Sequence, residues 1–281
     1  MKTKPTPSIV ITGAASGIGR ALALECRDRG FIVYATDLRA ETMADMKSPK
    51  LHALKLDVNS AADIKSLLRR LAKDAVVPDL LVNNAGFGAV LPMLDMPLER
   101  LRLQFETNVF SVVALCQAIA PGMIARGSGT IVNIGSVSGV MTTPFAGAYC
   151  ATKAAVHALS DALRMELKPF GLKVVTVMPG GIRTNFGNAA ASGVAKNLKA
   201  DSLYAPIADA IAARAVMSQD PSITPEQFAS QMMDAVLRRS TPPVIGIGPG
   251  GSVVPWVKRL VPLVALDRAL SAKFKLGRLR A

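Results

Sequence analysis

Short apolar runs alternate with segments of helical period along most of the chain. Between the runs, Arg20 to Arg29 and Ile64 to Lys73 repeat apolar residues every three or four positions. Strands that are apolar on both faces are typical of a parallel sheet covered by helices on both sides. The pattern therefore predicts an α/β fold, a doubly wound parallel sheet of about seven strands with helices on both faces. The seven runs are Ser8 to Thr12, Phe31 to Thr36, Leu51 to Leu56, Asp79 to Val82, Thr130 to Ile134, Lys173 to Met178 and, more weakly, Val244 to Ile247.

No repeat or low-complexity linker divides this pattern, so residues 1–281 are predicted to form a single domain. Periodic apolar positions predict a long helix from Leu98 to about Gly127 and another from Tyr149 to about Lys168. The segment from Phe186 to Leu237 interrupts the alternation with mostly helical sequence. We interpret 186–237 as a substrate lid, and 250–281 as a basic, apolar C-terminal tail.

The chain carries 33 basic and 20 acidic residues, a formal net charge of +13. Nine of the basic residues follow residue 237, where Asp267 is the one acid, so the excess belongs mainly to the tail. No groove-reading motif appears and the cations are not interleaved with aromatics, which argues against a nucleic-acid partner. The tail is predicted to pack with a solvated basic face, the alternative being peripheral membrane contact. The three cysteines form no CxxC pair, so neither a metal site nor a disulfide is predicted and a reduced cytoplasmic setting fits.

A glycine-rich turn, TGAASGIG from Thr12 to Gly19, joins the first strand to a helix. Gly13 allows a tight turn, Gly17 lets the backbone approach a pyrophosphate, and Gly19 permits close packing of helix on strand. The spacing is GxxxGxG. The turn therefore predicts a dinucleotide site of Rossmann type.

The second strand ends at Asp37, about 18 residues beyond Gly19. A carboxylate there can accept hydrogen bonds from the adenosine ribose hydroxyls and would repel a 2′-phosphate, which favours NAD. Arg39 argues for NADP, because a guanidinium at that place could hold the phosphate. Ser16 offers no cation, so NAD is favoured and NADP stays open.

The stretch YCATK, Tyr149 to Lys153, places a phenol and an amine on one helical face. A phenol of pKa about 10 is a poor base near neutrality, and a neighbouring ammonium would lower that pKa. We therefore expect Lys153 to depress the pKa of Tyr149 by about three units, so that the phenol can exchange a proton with an alcohol or ketone.

Together with NNAG (Asn83 to Gly86), Asn108, Ser136 and PGGIRT (Pro179 to Thr184), these motifs resemble the short-chain dehydrogenase/reductase family in its single-domain, non-extended branch. The resemblance implies an NAD(P)-dependent oxidoreductase in which Tyr149 is the acid/base, Lys153 also holds the nicotinamide ribose, Ser136 polarises the reacting oxygen and Asn108 holds a relay water. His52 and His157 match no motif of the family and are expected to have ordinary structural or surface roles. The resemblance also implies further contacts with the cofactor. Those contacts are Ile18, Leu38, Asp57, Val58, Asn84, Ala85, Gly86, Pro179, Gly180, Ile182 and Thr184.

The substrate wall is predicted to be almost uncharged, which suits a lipophilic secondary alcohol or ketone. Its residues would be Met93, Leu94, Met96, Met141, Phe145, Phe186 and Leu203. The stretches GGIRTNF, SLYAPIADAIAARA and LDRALSAKFKLG are similar to the branch of 1-acyldihydroxyacetone-phosphate reductases and 17-beta-hydroxysteroid dehydrogenases, whose reductases usually take NADPH; Asp37 departs from that pattern. The resemblance also implies a homodimer or homotetramer through the two long helices. The alternative function is a non-catalytic dinucleotide-binding regulator or scaffold, which the complete Asn108, Ser136, Tyr149 and Lys153 set disfavours.

Overall fold

A computed structural model describes residues 6–279 and contains one seven-stranded parallel sheet. The strand order is β3-β2-β1-β4-β5-β6-β7, so the chain reverses its direction of winding between β1 and β4. The predicted fold class is confirmed, and each predicted apolar run forms a strand. The strands are β1 Ser8–Thr12, β2 Ile32–Asp37, β3 Leu51–Lys55, β4 Leu80–Asn83, β5 Gly129–Ile134, β6 Leu172–Pro179 and β7 Val244–Ile247.

Helices surround the sheet and continue beyond its last strand. Short 3₁₀ turns connect several of them, and helices α3 and α4 are joined by a π-helical turn, Glu106–Phe110. The α-helices are α1 Gly17–Asp28, α2 Ala61–Lys73, α3 Leu98–Phe105, α4 Ser111–Arg126, α5 Gly147–Leu167, α6 Phe186–Asn197, α7 Ala208–Val216, α8 Pro225–Val236, α9 Val253–Leu260 and α10 Leu263–Lys273.

The two faces of the sheet carry separate apolar cores, because successive side chains of each strand point to opposite faces. Ile9 and Ile11 of β1 pack under α1 and α8 on one face. Val10 packs with α2, α4 and α5 on the other. Both faces are thus covered, which explains why the strands read as continuous apolar runs.

The helical segment from Leu98 to Arg126 is long and apolar enough to cross a membrane, but half of its most apolar window is buried in the fold. Val112, Leu115 and Ile119 lie in the core beside β4 and β5. Its apolar character is therefore accounted for by packing against the sheet.

Helix α8 changes the extent of the predicted lid. Phe228, Met232 and Met233 are completely buried in the core with α1. Thr224 is the N-cap of α8 and forms a capping box with Gln227. This part of 186–237 belongs to the layer of helices on the sheet, because its apolar face is fully used there. The lid therefore stays a prediction for residues 186–219 alone. At the tail, positions 280 and 281 lie outside the described residues.

Candidate active site

The glycine turn leaves the start of α1 open to an anion. The helix begins at Gly17, the preceding Ser16 makes no capping hydrogen bond through its side chain, and the first turn holds no acidic residue. Gly13 and Gly17 have φ angles of +67° and +52°, which glycine adopts without strain. The first-turn N–H groups and the helix dipole are thus available to a phosphate.

Close packing around the turn excludes any side chain at two of its glycines. A Cβ on Gly19 would lie 2.1 Å from the carbonyl oxygen of Gly13, and one on Gly13 would lie 2.9 Å from Cα of Ala85. A Cβ on Gly17 would touch only the side chain of Thr184. This cradle fits the pyrophosphate of a dinucleotide, as the glycine pattern predicts.

Thr12 organises the cradle, a role that the sequence reading missed. Its hydroxyl accepts the backbone N–H groups of Asn84 and Ala85 at 3.0 and 2.9 Å. The side-chain amide of Asn84 donates in return to the carbonyl oxygens of Thr12 and Gly13 at 2.8 and 3.1 Å. The side chain of Asn84 therefore braces the turn, and the cofactor contact that the resemblance implies for this residue stays a prediction.

Asp37 lies at the end of β2, directly beside the glycine turn. Its carboxylate accepts the backbone N–H groups of Ala15 and Arg39, each at 3.0 Å. Each carboxylate oxygen has a further lone pair for a ligand hydroxyl. Leu38 and Ser16 are exposed next to it, and neither side chain carries a charge.

The other predicted cofactor residues border the same edge of the sheet. Asp57 and Val58 follow β3; the Asp57 carboxylate accepts the N–H of Asn59, and the Val58 side chain is buried in the core. Ile18 packs at the edge of the core below the turn. Pro179 ends β6, and the segment after it leads from Gly180 through buried Ile182 to Thr184, against Gly17.

Lys153 is buried at the carboxyl end of β5. Its Nζ donates to the carbonyl oxygen of Ile134 at 2.7 Å and lies 5.9 Å from the centre of the Tyr149 ring. Burial lowers the pKa of Lys153 to about 8.

The pKa of the Tyr149 phenol is shifted in the direction opposite to the predicted one. Burial raises the pKa of its phenol to about 12, while a hydrogen bond with Ser136 and the charge of Arg214 act in the lowering direction. The expected depression by Lys153 is therefore wrong for the protein without cofactor, because the ammonium is turned toward Ile134 and desolvation dominates.

Ser136 begins the 3₁₀ turn Val137–Gly139, and its hydroxyl accepts the N–H of Ser138 at 3.0 Å. The N–H of Ser136 donates to Nε2 of His157 at 3.3 Å. Burial lowers the pKa of His157 to about 4, which keeps the ring neutral and able to accept that bond. His157 thus has the structural role predicted for it, and that role is to support Ser136.

Asn108 lies in the π-helical turn, a feature often found at functional sites. Its amide oxygen accepts the N–H of Phe87 at 3.0 Å, and its nitrogen donates to the Phe87 carbonyl oxygen and the Thr152 hydroxyl. A Cβ on Gly86 would lie 3.0 Å from the Asn108 oxygen. The side chain of Asn108 consequently fixes the segment after β4 to α5.

Apolar side chains surround the start of α5. The Phe186 ring lies 5.5 Å from that of Tyr149, and Phe145, in the left-handed region at φ +66°, packs on Tyr204 and Phe274. Met93 lies against Gly147. The remaining wall residues are more scattered: Leu94 and Leu203 are exposed, Met96 is buried in a small separate cluster, and Met141 is half-buried.

One charge breaks this apolar surface. Arg214 of α7 is buried, its Nε donates to the hydroxyl of Thr143, and its charge reaches Tyr149. The sequence does not single it out, because Arg214 lies within an ordinary helical stretch, IADAIAARA, in which nothing marks it as buried.

A parallel sheet with a glycine cradle at the switch point between β1 and β4 is the architecture of dinucleotide-binding proteins. The comparisons agree with it. The model of the short chain dehydrogenase family matches residues 7–194. The NADPH-dependent 1-acyldihydroxyacetone phosphate reductase of Saccharomyces cerevisiae is 31% identical, with 99% of this chain and 94% of that protein covered.

Solved structures show the same relationship. A short-chain dehydrogenase from Streptomyces avermitilis has a TM-score of 0.81 at 29% identity and covers 98% of both chains. The closed form of a serine dehydrogenase complexed with NADP+ has a TM-score of 0.74 at 27% identity, covering 86% of this chain and 94% of that one. The chain belongs to the short-chain dehydrogenase/reductase family of oxidoreductases.

Proposed function

We propose that the protein interconverts a lipophilic secondary alcohol and its ketone by hydride transfer to or from NAD(P). The observation that carries this proposal is the grouping of Tyr149, Lys153 and Ser136 at the carboxyl edge of the sheet, beside the glycine cradle. The dinucleotide supplies the hydride acceptor or donor. The chain supplies the proton, the orientation of the reacting oxygen and the apolar surroundings.

In this proposal Tyr149 exchanges a proton with the substrate oxygen, and Ser136 donates a hydrogen bond to the same oxygen. Lys153, whose pKa is lowered to about 8, passes protons to and from the phenol and holds the ribose. Asn108 keeps Thr152 and the segment after β4 in register with these groups. Phe186 covers the phenol and excludes water.

The test is a screen of secondary alcohols and ketones graded by size and polarity, followed at the nicotinamide absorbance, with Tyr149→Phe as the variant. We expect the variant to lose turnover and to bind the cofactor as the parent does, since the phenol proton is needed only for chemistry. Tyr34→Phe is the matched control, because the Tyr34 hydroxyl bonds to Asp74, outside the residues proposed for the site. Full turnover by Tyr149→Phe would refute the mechanism.

NAD is the proposed cofactor because the Asp37 carboxylate lies where a 2′-phosphate would be repelled. The names of the yeast relative and of the serine dehydrogenase structure give NADPH and NADP+ for those proteins, so NADP is the competing candidate. The ratio of kcat/KM for NAD to that for NADP decides between them. A preference for NADP would overturn the argument from Asp37.

Membrane contact through the tail is proposed from a patch on α9 and α10. Trp256 and Leu260 are 61% and 72% exposed, and Leu263 and Val264 continue the apolar surface. Lys258 and Arg259 are exposed beside it. Apolar side chains next to cations suit the interface of an anionic bilayer, which would be reached from a cytoplasmic location.

Flotation with vesicles of phosphatidylcholine alone and with added phosphatidylserine tests the contact. We expect binding to the anionic vesicles that weakens in high salt and in Trp256→Ser with Leu260→Ser. Lys47→Ser with Lys199→Ser, on other surfaces, is the control. A protein that stays at the bottom with both vesicle types would exclude the contact.

A homodimer is proposed through the two long helical segments, following the family resemblance. Leu103 and Phe110 are exposed on the first and Met165 on the second, which favours a partner surface. Light scattering after size exclusion should give about twice the chain mass or a higher multiple, and a monomer would exclude this interface.

A further inference from the structure

Arg214 is placed unusually for a cation. The residue is 8% exposed, lies in α7 and donates from Nε to the hydroxyl of Thr143, six residues before Tyr149. Arg214 also lies within electrostatic range of Cys150 and Tyr149, which are neighbours in α5. Its charge is therefore held on the side of α5 that carries the proposed acid/base.

None of the ion pairs among residues 6–279 includes Arg214. Asp209, the acid of the same helix, is exposed and pairs with Lys275. A hydroxyl and a thiol carry no charge that neutralises a guanidinium, and a buried cation without a counterion is costly. Within residues 6–279 no carboxylate neutralises the Arg214 charge, and an anion brought by a ligand would do so.

The surroundings of Arg214 are otherwise apolar. Phe145, Ala146 and Ile211 line the small core between α5 and α7, and Phe274 closes it from the C-terminal side. An anionic ligand group that reached Arg214 would thus bring an apolar body into contact with the wall around Tyr149. Because Arg214 is buried, a pair of parallel hydrogen bonds from its guanidinium to a phosphate or carboxylate would be strong there.

We propose that Arg214 binds an anionic group, a phosphate or a carboxylate, of an otherwise lipophilic substrate. The inference rests on the proposed function, since it deepens the substrate class of the same site. The substrate is then amphiphilic, with one acidic group that is recognised inside the pocket and an apolar remainder. Arg214 is the specificity-determining residue that separates such a substrate from neutral alcohols and ketones of equal size.

Binding measured without turnover tests this proposal. Octyl phosphate, octanoate and 1-octanol share one chain and differ in the head group, and calorimetry on the full chain at fixed ionic strength gives a Kd for each. We expect octyl phosphate or octanoate to bind at least about tenfold more tightly than 1-octanol, the scale of one charge-assisted hydrogen bond. The stronger of the two anions identifies the group.

Arg214→Gln should reduce this preference to within about threefold, whereas Arg238→Gln, which removes an exposed arginine far from the site, should retain it. Arg214→Lys keeps the charge without the pair of parallel donors and should bind the anion several-fold more weakly than the parent. If circular dichroism shows that Arg214→Gln does not fold, the Kd values of Arg214→Lys for the anions and 1-octanol test the proposal instead. Equal Kd values for the anions and 1-octanol in the parent protein, or an unchanged preference in the Arg214 variants, would overturn the proposal.

The same data separate the two proposals. Anion preference that depends on Arg214, together with no turnover of any alcohol or ketone, would refute the proposed function and leave the anion site standing. Turnover of an alcohol or ketone without any anion preference would support the proposed function and refute the anion site at Arg214.

Discussion

His157 is expected to make the folded protein sensitive to mild acid. Its pKa is about 4 in the folded protein against 6.5 for the free side chain, chiefly because of burial. Between these values the unfolded chain binds a proton that the folded protein does not, so stability rises with pH. The contribution is fully present above pH 6.5 and is lost as the pH falls toward 4. From pH 7 to pH 5 the loss amounts to about 2 kcal/mol.

The assay is urea unfolding at pH 7 and pH 5, followed by circular dichroism because Trp256, the one tryptophan of the chain, is exposed and a poor reporter of the core. His157→Gln keeps an acceptor for the Ser136 N–H and cannot titrate, so its stability should fall by about 2 kcal/mol less than that of the parent. His52→Gln removes the other histidine of the chain and should behave like the parent. Carboxylates titrate alike in all three proteins and cancel in the comparison. An equal fall for His157→Gln and the parent would refute the reasoning.

Three further substitutions test the cradle, the cofactor choice and the core. Gly19→Ala forces a Cβ against the carbonyl oxygen of Gly13 and should weaken NADH binding at least tenfold in a fluorescence titration, whereas Gly277→Ala, in open space, should not. Asp37→Ser removes the carboxylate and should lower the NAD to NADP ratio of kcat/KM about tenfold; an unchanged ratio would mean that Asp37 does not select the cofactor. Phe228→Ala should lower the free energy of unfolding by about 3–5 kcal/mol in urea, because the ring is completely buried under the sheet; a loss below about 1 kcal/mol would contradict its place in the core.

The order of strands and helices was predictable because hydrophobic periodicity records burial directly. All seven apolar runs became strands, with ends that moved by a residue or two. The extent of the lid was not predictable in the same way. Helix α8 follows the insertion without a break in the pattern, and only its contacts with α1 show that it belongs to the sheet layer.

In the candidate site, motifs indicated which residues come together, and local contacts determined what each side chain does. Asn84 and Asn108 lie beside the cradle and α5 as expected, yet their amides are engaged with backbone groups. Thr12 belongs to the glycine-turn motif, but that motif assigns no role to its hydroxyl, and Arg214 belongs to no motif. Their roles arise from long-range neighbours, Ala85 and Thr143, which a linear pattern does not contain.

The raised pKa of Tyr149 has a consequence for how the phenol becomes a base. A value of about 12 favours the neutral form by about 3 kcal/mol beyond an ordinary phenol, so the chain without cofactor does not itself prepare the anion. Lys153 is turned to Ile134, and Ser136 and Arg214 only partly offset burial. The positive nicotinamide of the oxidised cofactor is the remaining charge that could lower this pKa. Tyrosinate absorbance of the parent minus that of Tyr149→Phe should therefore be absent up to pH 9 in the free protein and appear at lower pH with NAD than without it. A tyrosinate signal from Tyr149 at pH 8 in the free protein would show instead that the buried cations alone are sufficient.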